Sequence, residues 1–214
     1  CHSHNAMFHS DTVQTIGHFP LDLSLINIDF ITCSAHKFHG PKGVGFAYIN
    51  EKNKAYPLIM GGEQERGLRG GTESTHNIHG LKIALEEAHK NLLDDQKKVK
   101  SLKKLFLNRI QNSFENVEVN GNFNESSYTI LNLRFPISKE KKDLINFKLE
   151  LAGIACSSGS ACQSGSSEPS HVLSEILTDE EMEKISIRFS FSKFNSKNEI
   201  IYAAESLKNI LSEC

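Results

Sequence analysis

The sequence has no apolar run that approaches the roughly 20 residues of a membrane-spanning helix, and no charged-then-apolar leader opens it. It has little net charge, formally -2, and so offers no excess of positive charge to nucleic acids or anionic lipid surfaces. It contains neither an internal repeat nor a low-complexity tract. These absences argue against membrane proteins and nucleic-acid-binding proteins, and a cytoplasmic setting is the default expectation.

Disulfide pairing also has little support in the sequence. The five cysteines are odd in number, and none belongs to a C-x-x-C pair: Cys1, Cys33, Cys156, Cys162 and Cys214. Because this pattern is not that of a disulfide framework, at least one cysteine is a candidate for a working thiol. The chain opens on Cys1 rather than methionine, and a β-rich run follows almost at once. We therefore expect it to be a fragment of a longer protein.

What is present is an ordinary globular composition of 214 residues, 38% apolar and 23% charged. The first part alternates β-rich runs with turns, and strands are predicted at 6–10, 30–34 and 43–49. A glycine-dense loop at 61–71 follows, and then apolar residues recur at helical spacing over 78–92. This order predicts an α/β domain over residues 1–92.

A charged stretch at 94–98 marks a change of composition, and we place a domain boundary near residue 93. A second helical stripe follows over 99–110, and a last helix is predicted at the capping box Ser196–Glu199. Between them the pattern predicts strands near 117–119, 129–135, 154–156 and 185–191, and helices near 140–151 and 169–177. We expect a small α+β domain over residues 93–214.

Lys37 is the first candidate for chemistry. It belongs to Ser34-Ala35-His36-Lys37, directly after a predicted strand, and the turn at 40–43 follows it. The loop would present Lys37 from a fixed position at a sheet edge, where an amine of lowered pKa can bond to an aldehyde cofactor. Taken alone, a lysine is more often a solvated surface charge.

Several polar residues are candidates to accompany that lysine. Asp11 closes the first strand, and a buried carboxylate there could keep the pyridine nitrogen of pyridoxal 5′-phosphate (PLP) protonated. Gln14, one helical turn on, could donate to the ring's phenolic oxygen. Ser34, His36 and Thr72 offer donors for a phosphate. A strand-end cap, a plain turn and a flexible glycine loop are the structural alternatives.

Cys162 lies in the middle of a stretch rich in serine and glycine at 157–167. Such a composition does not form a packed element, so it predicts a mobile loop that carries an accessible thiol. A structural cysteine would prefer an apolar strand, as predicted for Cys156. Pro169 suits the first turn of the helix that is expected next. Cys162 is therefore the candidate nucleophile.

Arg188 is the third element of the candidate chemistry. It lies in a predicted strand whose alternation places it on the same face as Ser186 and Ser190. A lone arginine on a strand is usually a surface cation. If this face borders a cofactor, the planar guanidinium would suit a bidentate grip on a substrate carboxylate.

In combination these segments resemble the NifS/IscS-like cysteine desulfurases, which are fold-type I, PLP-dependent enzymes of the class V aminotransferase-like family. The matching segments are Asp11-x-x-Gln14, Ser34–Lys37, Gly40–Gly43, Glu65–Thr72, Ser157–Cys162, Glu168–His171 and Ser186–Ser190. They occur in the family's order over essentially the whole chain. The resemblance implies the carboxyl-terminal portion of such an enzyme: an α/β part of a fold-type I PLP-transferase large domain, then the smaller α+β domain.

The resemblance also implies a cofactor site. Lys37 would hold PLP, Asp11 would pair with the pyridine nitrogen, and Gln14 would contact the phenolic oxygen. Ser34 and His36 would bind the phosphate.

A homodimer and a sulfur relay are implied as well. Thr72 would reach the cofactor phosphate of the partner subunit, and Arg188 would bind the carboxylate of L-cysteine. Cys162 would take the substrate sulfur as a persulfide, release L-alanine and pass the sulfur to an acceptor protein such as an iron–sulfur scaffold, or toward tRNA thiolation. No metal ion is implied. The serine-rich form of the cysteine segment resembles the long-loop branch of the family.

The sequence departs from the family pattern in two ways. Ala35 occupies a position that is commonly glycine, a change we expect to be tolerated. The amino-terminal half is absent, and from it the family draws a phosphate-binding turn, an asparagine near the phenolic oxygen and a histidine that stacks on the ring. The chain by itself is therefore expected to lack part of the cofactor site.

Two other functions fit parts of the sequence. Another PLP lyase or aminotransferase of the same fold would explain Asp11 and Lys37 but would leave Cys162 without a task. A non-catalytic interaction or metal-handling protein is the second alternative, because potential ligands crowd the first nine residues. These ligands are Cys1, His2, His4 and His9, and their spacing matches no standard zinc pattern.

Overall fold

The computed structural model describes residues 1–157 and 170–213. Contacts along the chain divide it into two compact units, Cys1–Asp94 (unit 1) and Asp95–Cys214 (unit 2). Among the described residues, none of the helices has both the length and the apolar character needed to cross a membrane.

Unit 1 is built on a three-stranded sheet of β1 (His9–Asp11), β2 (Phe30–Ser34) and β3 (Gly45–Ile49). Strands β1 and β2 run parallel, and β3 returns antiparallel to β2. The carboxyl ends of β1 and β2 consequently lie at the same edge of the sheet. This is the edge from which the lysine segment emerges.

One long helix and several short turns complete unit 1. Helix α1 spans Thr75–Lys90, and single 3-10 turns occur at His2–His4, Ala35–Phe38 and Gln64–Gly67. The buried core of the unit is small and is shared by the sheet, the lysine turn and α1. Its members are Ile16, Ile28, Ile31, Cys33, Ala35, Phe38 and Ala88.

The first strand differs from the sequence-based prediction. Strand β1 covers His9–Asp11 rather than residues 6–10. Pairing does not extend back through Phe8, because the amide of Phe8 donates to the side-chain Oδ2 of Asp29 at 2.7 Å and not to a strand carbonyl. Alternation alone could not reveal where ladder pairing begins. Asp11 is therefore the last residue of the strand and does not follow it.

Unit 2 holds an antiparallel sheet of order β4-β5-β6, with β4 at Glu118–Val119, β5 at Ile130–Ser138 and β6 at Lys184–Ser190. Its helices are α2 (Leu92–Ser113, which begins just before the unit), α3 (Lys142–Leu151), α4 (Asp179–Met182) and α5 (Lys197–Ser212). Short 3-10 turns occur at Lys139–Lys141 and Leu173–Glu175.

The two long strands of unit 2 are amphipathic. Leu133 on β5 and Ile187 on β6 pair directly and are fully buried. They pack in one cluster with residues of α2 and α5, and the Phe106 ring of α2 lies 4.7 Å from the Phe189 ring of β6, centroid to centroid. Alternation therefore places the polar residues of both strands on the opposite face.

Two elements predicted for unit 2 are absent from the described residues. Residues 154–156 do not form a strand, and pairing there is limited to one bridge between Ser157 and Arg188. In place of a helix at 169–177, the described part of that range contains only the turn Leu173–Glu175. The short helix α4 was not predicted, although Thr178 and Glu181 form a complete capping box at its start.

Candidate active site

The sheet edge of unit 1 brings Asp11 and the lysine segment together. Asp11 ends β1, Ser34 ends β2, and the register pairs Asp11 with Thr32. Since neighbouring strands lie about 4.8 Å apart, the two strand ends present their side chains to the same region. In open α/β sheets, ligands bind at the carboxyl ends of the strands.

Lys37 lies on the 3-10 turn Ala35–Phe38, directly after β2. Two backbone hydrogen bonds hold the turn. The amide of Ala35 donates to the oxygen of Val44 at 3.0 Å, and the amide of Gly40 donates to the oxygen of Ala35 at 2.9 Å. Ala35 and Phe38 are buried, whereas the side chains between them, His36 and Lys37, are exposed. The lysine amine is thus presented from an anchored backbone, and the side chain of Ala35 fits within the core.

Asp11 departs from the expectation of a buried carboxylate, because it is exposed in the structure. Its Oδ1 accepts a hydrogen bond from the amide of Val13 at 2.9 Å, so the residue also forms the start of the next turn. Gln14 is exposed in that turn. Burial of a strand-end carboxylate depends on what covers the sheet edge, and strand position alone does not determine this.

The glycine-rich segment before Thr72 forms a closed loop. The amide of Gly70 donates to the oxygen of Ile59 at 2.9 Å, and a Cβ on Gly70 would lie 2.9 Å from the Cα of Gly61. Thr72 follows the loop and is exposed. Across the described residues, no hydrogen bond joins Thr72 to the lysine turn.

The polar face of unit 2 contains Arg188. Its Nε is buried and has no hydrogen-bond partner among the described residues. Its backbone is anchored, because its amide donates to the oxygen of Ser157 at 2.6 Å and its oxygen accepts from the amide of Ser157 at 3.1 Å. A buried, unsatisfied donor is costly unless a ligand satisfies it. A planar carboxylate is the natural complement of a guanidinium in this state.

A second arginine on this face was not identified from the sequence. Arg134 of β5 is 5% exposed and donates to Asn120 Oδ1 at 2.6 Å, to Glu181 Oε1 at 2.5 Å and to Glu118. Hydrogen bonds from the amide and the hydroxyl of Thr178, and then the nearby guanidinium, lower the pKa of Glu181 and so favour its ionised form. The available signal was the position of Arg134 on the non-core side of an alternating strand.

The amide of Asn120 extends this network along the sheet. Its Nδ2 donates to Asn132 Oδ1 and to Ser186 Oγ, both at 2.9 Å. Asn132 is the cross-strand partner of Arg188, and Ser186 lies two residues before it. The surroundings of Arg188 are therefore already hydrogen-bonded among themselves.

Three of the five cysteines bear on the choice of nucleophile. Cys162, its serine-rich surroundings and Pro169 lie outside the described residues. Cys156 is half-buried against the core of unit 2, and burial raises the pKa of its thiol. Burial likewise raises the pKa of the Cys33 thiol inside the sheet of unit 1. Cys33 and Cys156 are therefore held as neutral thiols, which are poor nucleophiles.

The histidines at the start of the chain do not assemble a metal site in the structure. The Nε2 of His2 lies 2.7 Å from Asp29 Oδ2, and its Nδ1 lies 2.9 Å from the side-chain Nδ2 of Asn27. No group of three or more potential ligands within residues 1–157 and 170–213 is placed to hold a metal ion. His2 instead ties the first turn to the segment before β2.

Comparisons with known proteins identify the family of the chain. Residues 1–202 match the model of a family described as aminotransferase class-V. The mitochondrial cysteine desulfurase of Arabidopsis thaliana is 41% identical over 96% of the chain and 45% of that protein. A putative cysteine desulfurase IscS 1 of Bacillus subtilis (strain 168) is 40% identical over 97% of the chain and 55% of that protein. The chain thus spans about half the length of these relatives.

Solved structures give the same result. A NifS-like protein superimposes with a TM-score of 0.86 at 32% identity, covering 99% of the chain and 54% of that structure. A structure described as SspA in complex with cysteine gives 0.67 at 31% identity, covering 91% of the chain and 53% of that structure. These matches confirm the fold class expected from the sequence, part of a fold-type I PLP enzyme.

Proposed function

The chain belongs to the class V aminotransferase family, and we propose that it carries the Lys37 and Cys162 halves of a PLP-dependent cysteine desulfurase site. The observation that carries the proposal is the shared sheet edge, where Asp11 ends β1 and the Ser34–Lys37 segment leaves the parallel neighbour β2. The cysteine desulfurase relatives support the reaction type. The reaction is L-cysteine to L-alanine, with the sulfur retained on the enzyme.

The groups at this edge fit PLP. Asp11 is an accessible carboxylate that would hold a proton on the ring nitrogen, and Gln14 would donate to the phenolic oxygen. Ser34 and His36 supply donors for the phosphate, while Lys37 supplies the amine that would hold the cofactor and later move a proton. PLP itself contributes an electron sink when bound. Units 1 and 2 would correspond to parts of the large and small domains of the enzyme.

Unit 2 would supply substrate binding and the sulfur acceptor. Arg188, with its unsatisfied buried Nε, would bind and orient the carboxylate of L-cysteine. The Cys162 thiolate would then take the sulfur atom as a persulfide, and the remaining three carbons would leave as L-alanine. The similarity to SspA, which was solved in complex with cysteine, supports this substrate.

We also infer that the enzyme is a homodimer, in which Thr72 of one subunit reaches the cofactor phosphate of the other. An acceptor protein such as an iron–sulfur scaffold would then receive the sulfur from Cys162.

The decisive experiment compares two cysteines of one segment in the natural full-length protein. Cys162→Ser should abolish alanine formation from L-cysteine while leaving the visible absorption of bound PLP intact. Cys156→Ser is the matched control and should retain both, because that thiol is half-buried with a raised pKa. Full alanine formation in Cys162→Ser would contradict the assignment of Cys162 as the sulfur acceptor.

A further inference from the structure

The lysine turn is held from a second side by the residues Gly17 and His18, called here the Gly17–His18 clasp. The Nε2 of His18 lies 2.8 Å from the backbone oxygen of Lys37. A carbonyl oxygen only accepts hydrogen bonds, so the imidazole is the donor and Nε2 carries the proton. The contact joins positions 19 residues apart in the sequence and ends on the backbone of the lysine itself.

Gly17 makes a second contact with the same turn. Its φ is +78°, and a Cβ built on it would lie 2.5 Å from the Cβ of Phe38. Phe38 is 2% exposed and directly follows Lys37. Two consecutive residues of the clasp therefore contact two consecutive residues of the lysine turn. His18 does so through a hydrogen bond, and Gly17 does so through a close approach of its backbone to the Phe38 side chain that only glycine permits.

The clasp is in turn connected to β1 through a firmly bonded segment. The amide and the hydroxyl of Thr12 both donate to the oxygen of Thr32, at 2.9 and 2.8 Å, and the amide of Ile16 donates to the oxygen of Thr12 at 3.0 Å. Thr12 directly follows Asp11. A continuous path of short contacts thus leads from the Asp11 strand end, through the clasp, to the backbone of Lys37.

We infer that His18 is a positioning residue for the reaction proposed above, fixing the Lys37 backbone relative to Asp11 through its Nε2–H bond. It acts through Lys37 and does not touch the reacting atoms. A lysine that must hold the cofactor, release it and move a proton needs a backbone anchored close to its productive geometry. Loss of the bond should therefore reduce turnover more than substrate affinity.

The test compares His18→Leu, which removes the donor, with His18→Gln, whose side-chain amide can place an N–H group near Nε2. Both are made in the natural full-length protein, with exposed His79→Leu of α1 as the control. In the PLP-free protein, His18→Leu should speed amide hydrogen exchange of residues 38–40 about three- to tenfold, the effect of one hydrogen bond. With PLP, it should lower kcat by a similar factor and change KM for L-cysteine less than twofold. His18→Gln should restore both within about twofold, and His79→Leu should match the parent protein.

Equal exchange in the parent and His18→Leu proteins would overturn the inference, as would a His18→Gln protein as impaired as His18→Leu. The exchange measurement needs no cofactor, so it separates the two proposals. Faster exchange in His18→Leu would support the His18–Lys37 hydrogen bond even if the parent protein showed no PLP absorption. The missing absorption would contradict the proposed function. Normal turnover of L-cysteine by His18→Leu would overturn the positioning role of His18 and leave the proposed function unchanged.

Discussion

At the scale of single residues, Gly17 and Gly43 have nearly the same backbone conformation and opposite surroundings. Their φ values are +78° and +80°, but a Cβ on Gly17 would meet Phe38, whereas a Cβ on Gly43 would have nothing within 4 Å. Alanine bears the left-handed conformational cost at both positions. Gly17→Ala should therefore be less stable than Gly43→Ala by about 1–3 kcal/mol, the usual cost of overpacking. Chemical denaturation of the two variants measures the difference. Equal stabilities would show that the Phe38 side chain moves aside without a loss of stability.

Asp29 leads to a prediction about pH. It is 2% exposed, and hydrogen bonds from the Asn53 side chain and the Phe8 amide, together with His2 and Lys52, hold its pKa well below the usual carboxyl range. A lowered pKa means that the ionised form of Asp29 stabilises the fold. This contribution is complete at pH values above the ordinary carboxyl pKa of about 3.9. This contribution is lost progressively as the pH falls below that value.

Asp29→Asn removes that contribution. The variant should melt below the parent protein at pH 7, and the gap between their melting temperatures should narrow as the pH is lowered from about 5 toward about 3. Thermal unfolding of both proteins across this range provides the measurement. A gap that stays constant or widens on acidification would contradict the assignment of Asp29 as a stabilising carboxylate.

The residue scale also marks a limit of sequence-based prediction. Strand alternation placed Arg188 on the polar face correctly. It could not reveal that Nε is buried without a described partner, because this depends on neighbours from β5 and on Ser157. The expectation of a buried Asp11 was wrong for a related reason, since burial at a strand end is decided by whatever packs over it.

At the scale of elements, the start of α5 provides a local test. Ser196 caps this helix by accepting from the amide of Glu199 at 3.2 Å, and Glu199 accepts from the amide of Ser196 at 2.6 Å. Ser196→Ala should lower the free energy of unfolding by about 0.5–2 kcal/mol, the usual worth of an N-cap hydroxyl. Ser101→Ala, on an exposed position inside α2, is the control and should change stability by less than about 0.5 kcal/mol. A similar loss of unfolding free energy in both variants would contradict the capping role of Ser196.

Elements with strong local signals were predicted well. Strand β2 occupies the predicted residues Phe30–Ser34, and α5 begins at its capping box. The missed elements are those that depend on partners distant in the sequence. Residues 154–156 have an apolar pattern but obtain only one bridge, at Ser157. Strand β1 is shortened because the amide of Phe8 donates to the side chain of Asp29.

At the scale of the whole molecule, each unit has its own core, and that of unit 2 is the larger. Leu133 lies at its centre with 0% exposure, whereas Leu144 of α3 is 51% exposed. Leu133→Ala should cost about 2–5 kcal/mol through lost burial and the cavity left behind. Leu144→Ala, the same chemical change at the surface, should cost less than about 0.5 kcal/mol. Denaturation that fails to separate the two would mean that the unit 2 core is loosely packed.

The molecular scale is also where motif order was more informative than composition. Composition predicted only an ordinary globular protein, whereas the sequence of segments from Asp11 to Ser190 predicted the family that the comparisons identify. The candidate site residues are divided between unit 1, with Asp11 and Lys37, and unit 2, with Arg188, and their roles have not been tested. They therefore remain predictions for experiment.

The proposed function depends above all on Lys37 holding PLP, and this is tested by the absorption spectrum of the natural full-length protein reconstituted with PLP. We expect a visible band in the parent protein and in the Lys42→Ala control, whose exposed lysine lies in the neighbouring turn. The band should disappear in Lys37→Ala while the circular dichroism spectrum remains that of a folded protein. A parent protein without the band, or a Lys37→Ala protein that keeps it, would contradict the assignment.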